Sequence, residues 1–321
     1  MRAVQCLEFG QPLTIAELDE PEPRAGQVCI DVEASGVNYV DALIVRGEYQ
    51  IKPPTPFVAG SEVAGRVCAV GQGVEDAAVG DRVFSMTGFG GFAERVAVAA
   101  DRVSRIPESM SAGQAAAFSQ SYSTALFSLR DRGRLSAGET VLVLGAAGGV
   151  GRATIDVAKA LGASVIAAAS SPEKLEACRA LGADAVIDYS SEDLKTRARE
   201  LSDGGVDLVM DPIGGALAEQ ALRAMGYLGR YLVIGFAAGE IPRLPLNQVL
   251  LRNRNIVGVD WGAWMISNGA AQRALLAELL EMVEAGQLSP SEPSVYRLEQ
   301  VETALDDLMN RRVNGKAVLV R

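Results

Sequence analysis

Residues 141–144, Val-Leu-Val-Leu, run straight into Gly145-Ala146-Ala147-Gly148-Gly149-Val150-Gly151 and then into a helical pattern that Gly162 closes. No other stretch restricts the possible folds as tightly. Four consecutive apolar residues read as a strand buried on both faces. The spacing Ala146-x-Gly148-x-x-Gly151 is a variant of the glycine loop that joins such a strand to a helix and lets the backbone approach a pyrophosphate at the helix N-terminus. Glycines alone are weak evidence. Here a second strand, Ser164–Ala169, follows about twenty residues later, the context a dinucleotide site requires. Ser171-Pro172 then caps and starts a helix that ends at Gly182. Ala185–Asp188 and the runs 206–210, 231–234 and 256–259 read as further strands. Alternation of this kind predicts a doubly wound parallel sheet over residues 122–264.

The end of the second strand bears on which dinucleotide would bind. A site for a free ribose 2′-hydroxyl places Asp or Glu there, whereas this chain has Ala169-Ser170-Ser171-Pro172-Glu173-Lys174. Without the acid there is no repulsion against a 2′-phosphate, and Ser170 and Lys174 can donate hydrogen bonds to it. Ser171 is read as a helix cap, and Glu173 as a helical residue beyond the acidic position. The cofactor expected from these residues is NADPH.

The first hundred or so residues have another texture. Val28, Ile30 and Val32 alternate with Cys29, Asp31 and Glu33, and strand-like runs follow at 63–70, Arg82–Met86 and 92–98, separated by glycines. Short strands without long helices between them predict a small β-barrel-like domain over residues 1–121. Ser111 and Gln114 form a capping box ahead of a helix over 115–129. Beyond Trp264 come a helix over 271–285, a Ser/Pro linker, another helix and the strand Ala317–Val320; this tail, 265–321, is expected to pack on the first domain.

Composition excludes several functions. The 321 residues carry 30 basic and 40 acidic side chains, so the net charge of −10 argues against nucleic acid or an anionic membrane surface as a partner. No apolar run reaches the ~18 residues of a membrane span, and residues 1–4 do not open a signal peptide. Four scattered cysteines without a CxxC pair suit reduced thiols and a cytoplasmic location. There is no histidine, which removes Ser-His-Asp chemistry, a His base and His-ligated zinc.

Several segments together resemble the zeta-crystallin/quinone oxidoreductase branch of the medium-chain dehydrogenase/reductase superfamily, nearly from end to end. They are Gly36-Val37-Asn38-Tyr39-Val40-Asp41, residues 56–65 (Pro-Phe-Val-Ala-Gly-Ser-Glu-Val-Ala-Gly), the glycine loop, residues 181–189, and Asn314-Gly315-Lys316. The resemblance implies a GroES-like β-barrel domain with a Rossmann domain, and NADPH as cofactor. It implies Ser170, Lys174, Tyr189 and Arg311 around the 2′-phosphate, the loop 147–151 (Ala147, Gly148, Gly149, Val150, Gly151) at the pyrophosphate, and Gly235, Phe236, Val259 and Asp260 along the nicotinamide half. Asn38, Asp41, Tyr49 and Thr124 would line the substrate side. Asp156 stands where the family often has Gln, and Leu43 where it often has Tyr. The zinc-ligand positions of related alcohol dehydrogenases correspond to Asn38, Ser61 and approximately Gln120, so no metal is expected.

Loss of zinc favours an acceptor that takes hydride without a Lewis acid, since an alcohol proton, like that of water at pKa ~15.7, is hard to remove unaided. The expected reaction is hydride transfer from NADPH to a quinone, with Asn38 and Thr124 positioning groups and Tyr49 as proton donor. Reduction of an enone or enoyl thioester, and NADPH binding without catalysis, are the alternatives. The apolar segment 255–261 is expected to form the sheet's last strand and, through its open edge, a homodimer.

Overall fold

The computed structural model describes residues 1–321. It divides into two compact units: Met1–Gln120 with Pro290–Arg321, and Ser121–Ser289.

The first unit begins with β1 (Arg2–Cys6), β2 (Thr14–Glu17) and the eleven-residue β3 (Gln27–Val37), which runs into helix α1 (Tyr39–Val45). Then come β4 (Phe57–Val58), β5 (Glu62–Val70), β6 (Arg82–Met86), β7 (Arg95–Ala99), β8 (Val103–Arg105) and α2 (Ala112–Ala116). Val28, Ile30 and Val32 bury one face of β3 against Val63, Val67, Val83, Val96 and Val98, the β-branched packing that the alternation calls for. Cys29, on the opposite face, is also buried. The strand expected over 92–98 starts at Arg95. Before it, Phe92 bridges to Ala59 and Val4 through its backbone at 2.8 Å each, with its ring fully buried. Gly36 is required by a close approach, since a Cβ there would lie 2.1 Å from the Ala116 carbonyl oxygen.

The helix expected over 115–129 is three pieces. Ser111 does cap α2, its Oγ accepting from the Gln114 N–H at 3.1 Å. The chain then re-forms as α3 (Ser119–Leu126), followed by a π-helical turn at Phe127–Arg132. There the Ser128 hydroxyl donates to the Thr124 carbonyl at 2.5 Å, which competes with the regular helical bond.

In the second unit β9 (Thr140–Leu144), α4 (Gly149–Ala160), β10 (Ser164–Ala169), α5 (Pro172–Ala180), β11 (Ala185–Asp188), α6 (Leu194–Leu201), β12 (Val206–Asp211), α7 (Leu217–Ala224), β13 (Met225–Val233), α8 (Leu246–Leu250) and β14 (Asn255–Gly258) alternate. All six strands are parallel, in the order β11-β10-β9-β12-β13-β14. This is a doubly wound sheet whose order reverses between β9 and β12. Val141 to Leu144 have no exposure, as helices on both faces require.

Helices α9 (Trp261–Ser267) and α10 (Gly269–Glu284) correct the expectation for the tail, because residues 265–289 belong to the second unit. The reason is a buried polar link. The Trp261 indole N–H donates to Gln272 Oε1 at 2.9 Å, and Gln272 Nε2 donates to Ser123 Oγ at 3.1 Å. Phe127 and Trp264 stack with ring centroids 4.6 Å apart. Only Pro290–Arg321 returns to the first unit, with β15 (Ser294–Arg297), α11 (Val301–Met309) and β16 (Ala317–Val320). β16 pairs antiparallel with β3, Ala317 opposite Val37, which sets Lys316 beside Asn38. The resulting sheet has the order β15-β16-β3-β5-β6-β8, with β7 also on β3; β2-β1-β4 form a second sheet.

Candidate active-site elements

In the second unit the glycine loop leaves β9 at Gly145, with φ +57°, and enters α4 through Gly148 as N-cap. A Cβ on Gly151 would lie 2.4 Å from the Gly145 carbonyl oxygen, so this glycine seats the helix against the loop. A Cβ on Gly148 would lie 3.3 Å from the same oxygen and meet nothing else. Gly148 therefore leaves open the space just ahead of the helix. Gly149, Val150 and Gly151 form the first turn, whose N–H groups have no carbonyl one turn back and point toward that space.

The ends of the neighbouring strands flank the reversal point. Asp211, at the end of β12 and 2% exposed, accepts from the N–H groups of Ile213 at 2.7 Å and Gly214 at 2.9 Å, and from the Tyr231 hydroxyl. Burial and the Asp211 carboxylate push the Tyr231 hydroxyl pKa well up, so it remains a donor. This buried pair shapes the turn at 211–215, where Ile213 covers Gly145. Asp211 and Tyr231 escape the sequence reading; the only local signal is an acid that ends a buried strand before Pro-x-Gly-Gly. Gly235 and Phe236 follow β13, with the Gly235 N–H on the Asp211 carbonyl at 3.4 Å, and Val259 follows β14, its N–H on the Val233 carbonyl at 3.0 Å.

Ser170 follows β10 and precedes Ser171, whose Oγ caps α5 by accepting from the Lys174 N–H at 3.4 Å. The Tyr189 N–H bonds the Ala169 carbonyl at 3.1 Å, so Ser170, Lys174 and Tyr189 gather at the adjacent ends of β10 and β11. Asp188, the acid that ends β11, is turned into its own bend. Its Oδ1 accepts from the Ser190 N–H at 3.0 Å and hydroxyl at 2.5 Å, which lowers its pKa. Arg311 belongs to the first unit, in an exposed left-handed turn after α11 with φ +59°.

Thr124 lies in the second unit, buried in α3. Asn38 and Tyr49 lie in the first. Tyr49 is half-buried and packs on the apolar cluster around α1 and α11. Asn38 is 4% exposed, and its amide is engaged on every side. Nδ2 donates to Ser61 Oγ at 3.3 Å and to Glu62 Oε2 at 3.1 Å, while Oδ1 accepts from the Lys316 ammonium. Its backbone N–H donates to Asp41 Oδ2 at 2.9 Å and so fixes the start of α1. Glu62, 1% exposed, also accepts from the Gln120 N–H at 2.8 Å, and Lys316 Nζ lies 3.5 Å from its Oε2. Burial pushes the Asp41 carboxyl up to about 6, against the opposing pull of the Ser61 hydroxyl, the Asn38 N–H and Lys316. Glu62 and Lys316 are likewise absent from the residues that sequence reasoning selects. The signals available are the acid within residues 56–65 and the lysine of Asn314-Gly315-Lys316.

Residues 24–108 match the family profile described as the alcohol dehydrogenase GroES-like domain, and residues 149–280 the one described as zinc-binding dehydrogenase. Quinone oxidoreductase-like protein 2 of Rattus norvegicus is 38% identical over 321 residues, covering 99% of this chain and 91% of that protein. The chain belongs to the quinone oxidoreductase-like branch of the medium-chain dehydrogenases/reductases. The quinone oxidoreductase of Thermus thermophilus, whose structure is known also as a complex with NADPH, shares 34% identity over 100% of both chains with a TM-score of 0.87. A segment amounting to 15% of a mycocerosic acid synthase-like polyketide synthase of Mycobacterium tuberculosis is 33% identical to 96% of this chain. The first unit carries the GroES-like domain and the second the Rossmann domain of this oxidoreductase family.

The zinc in one profile's description does not fit this chain. No three His, Cys, Asp or Glu side chains are grouped to hold a metal, and Asn38 is bonded both to Ser61 and to the Lys316 ammonium. A cation beside a lysine would be repelled, and amide and hydroxyl oxygens are poor zinc ligands.

Proposed function

We propose that the protein is an NADPH-dependent reductase whose acceptor is a quinone. The observation that carries this is the replacement of the zinc-ligand positions by a hydrogen-bonded network, Lys316–Asn38–Ser61, with Glu62 behind it. An acceptor reduced without a Lewis acid must already be electron-poor, and a quinone is. When bound, NADPH supplies the hydride. The fit of the second unit to it rests on the open space at Gly148, the first-turn N–H groups of 149–151 and the acid-free end of β10. Ser170, Lys174 and Tyr189 would hold the 2′-phosphate. Gly235, Phe236 and Val259 would border the nicotinamide. In the first unit Tyr49 delivers the proton. Thr124 orients groups from α3, and Asn38, its amide already satisfied, serves by fixing its neighbours.

A second reading, reduction of an enone or enoyl thioester, is favoured by the similarity to part of a mycocerosic acid synthase-like polyketide synthase. The deciding experiment follows NADPH oxidation with quinones, enones, enoyl-CoA esters and no acceptor. Quinone turnover at least about tenfold above the others supports the first reading, and the reverse order the second. Tight NADPH binding without turnover of any acceptor would leave a non-catalytic role.

A further inference from the structure

The buried polar hydrogens of the first unit can be counted against their acceptors. Asn38 donates both amide hydrogens, to Ser61 and Glu62, and its backbone N–H to Asp41. The Ser61 hydroxyl donates to the Asp41 carboxylate, and the Gln120 N–H to Glu62. An ammonium carries three N–H groups, and Lys316 meets two protein acceptors, Asn38 Oδ1 and Glu62 Oε2. One donor is therefore left over, and it is cationic. The Lys316 side chain keeps 13% of its exposure against 2% for Glu62, so the network opens at its cation. Gln120 Oε1, attached to the same Glu62 through its backbone, is buried and meets no donor of the protein. A buried ion pair is seldom needed for stability, since apolar replacements are often neutral or better. A surplus cationic donor instead suits an oxygen that gains negative charge.

We infer that Lys316 is a catalytic residue whose ammonium donates a hydrogen bond to the carbonyl oxygen of the acceptor, with Glu62 and Asn38 as its positioning residues. The inference rests on the reductase reading. Hydride adds to the acceptor with both its electrons, oxidising the cofactor, and the carbonyl π pair moves onto oxygen. The Lys316 N–H stabilises that oxyanion while the Tyr49 hydroxyl supplies the proton and is itself reprotonated by water. Lys316 keeps its own proton.

The test uses the full chain with NADPH and whichever quinone or enone the parent protein reduces. Lys316→Ala is expected to lower kcat about a hundredfold, the usual cost of removing one oxyanion donor. NADPH affinity, read by fluorescence, should stay within about threefold, because the cofactor loop lies in the other unit. Added propylammonium should restore activity, and tetramethylammonium, which has the charge but no N–H, should not. A readout without turnover is 4-nitrophenol, whose phenolate stands in for the reduced oxygen. Its pKa should fall on binding to the parent protein and not on binding to Lys316→Ala. If the alanine variant does not fold, Lys316→Gln with Glu62→Gln removes both charges together and should show the same loss of kcat. Parental kcat in either variant, equal rescue by the two amines, or an unshifted nitrophenol on the parent protein overturns the assignment. A parent protein that reduces neither quinones nor enones refutes instead the reading on which it rests, before any variant is made.

Discussion

Asp41 bears a charge that its surroundings resist. Its folded-state pKa of about 6 lies above the ordinary carboxyl value of 3.8, chiefly because the group is buried. The folded protein therefore binds the proton more tightly than the unfolded chain. Stability from this group is complete below about pH 4 and is lost as pH rises through 6, a decline of about 3 kcal/mol for two pKa units. Asp41→Asn keeps an acceptor for the Asn38 N–H and removes the charge. We expect it to be more stable than the parent at pH 7.5 by about 1–3 kcal/mol and flat between pH 4 and 6, measured by urea unfolding across that range. Equal slopes in both proteins would assign the pH dependence to other groups. Lys174 makes a complementary case in the second unit. Removing one charged hydrogen bond costs about 1.5–3 kcal/mol, so Lys174→Ala should weaken NADPH about ten- to a hundredfold and NADH little. Equal weakening of both in a low-salt titration would make Lys174 a support of the fold. A parent protein that prefers NADH would reverse the reading of residues 169–174.

At the scale of elements, the loop glycines separate fold from function. Gly148 has φ −78°, and a Cβ there approaches only one oxygen, at 3.3 Å. Gly148→Ala should stay within about 1 kcal/mol of parental stability and lose at least about tenfold in NADPH affinity, because the methyl group enters the space ahead of α4. Gly151→Ala drives a Cβ to 2.4 Å from a backbone oxygen and should destabilise by about 1–3 kcal/mol. Thermal melts and fluorescence titrations of the pair check both; identical behaviour would mean that the two glycines share one role. Such elements are legible because their punctuation is local. Arg82–Met86 and Ser164–Ala169 stand as expected, and α5 carries its Ser cap, its Pro at the first position and its closing Gly182. Helix α1 is hidden because Val40, Leu43, Ile44 and Val45 read equally as strand; the Asn38–Asp41 bond selects the helix. Helix α6 does carry a signal that the sequence reading omits, Asp193 capping the Thr196 N–H at 2.8 Å. The placement of α9 and α10 depends on Gln272 reaching Ser123, a pairing across 149 residues that no window on the sequence contains. Lys316 is legible only as part of a motif. Its meaning comes from the β16–β3 register, which is likewise non-local.

At the scale of the molecule, the second unit leaves its sheet open. β14 ends the strand order and pairs only with β13, so its outer backbone groups face no strand of this chain. An exposed edge invites another strand unless charge or a covering element blunts it; here Arg132 covers only the Gly258 carbonyl, at 3.1 Å, and apolar groups border the edge as well. Ile256 on the strand is 39% exposed, and Leu246, Leu250 and Leu251 just before it are each 70% or more. Scattered apolar residues on a surface need no explanation, but four on one edge and its approach do. The homodimer expected from residues 255–261 would cover them, two copies of β14 pairing across a two-fold axis to extend the sheet. At micromolar concentration, light scattering should give twice the chain mass of 33.7 kDa. Ile256→Lys combined with Leu250→Lys should give 33.7 kDa, since a desolvated pair of lysines around the axis would repel its copy. Because β12 and β13 separate the cofactor loop at the end of β9 from the edge at β14, NADPH affinity should survive the change. A parent protein that scatters as a monomer, or a lysine variant that remains dimeric, would place the contact elsewhere and leave these leucines for another partner.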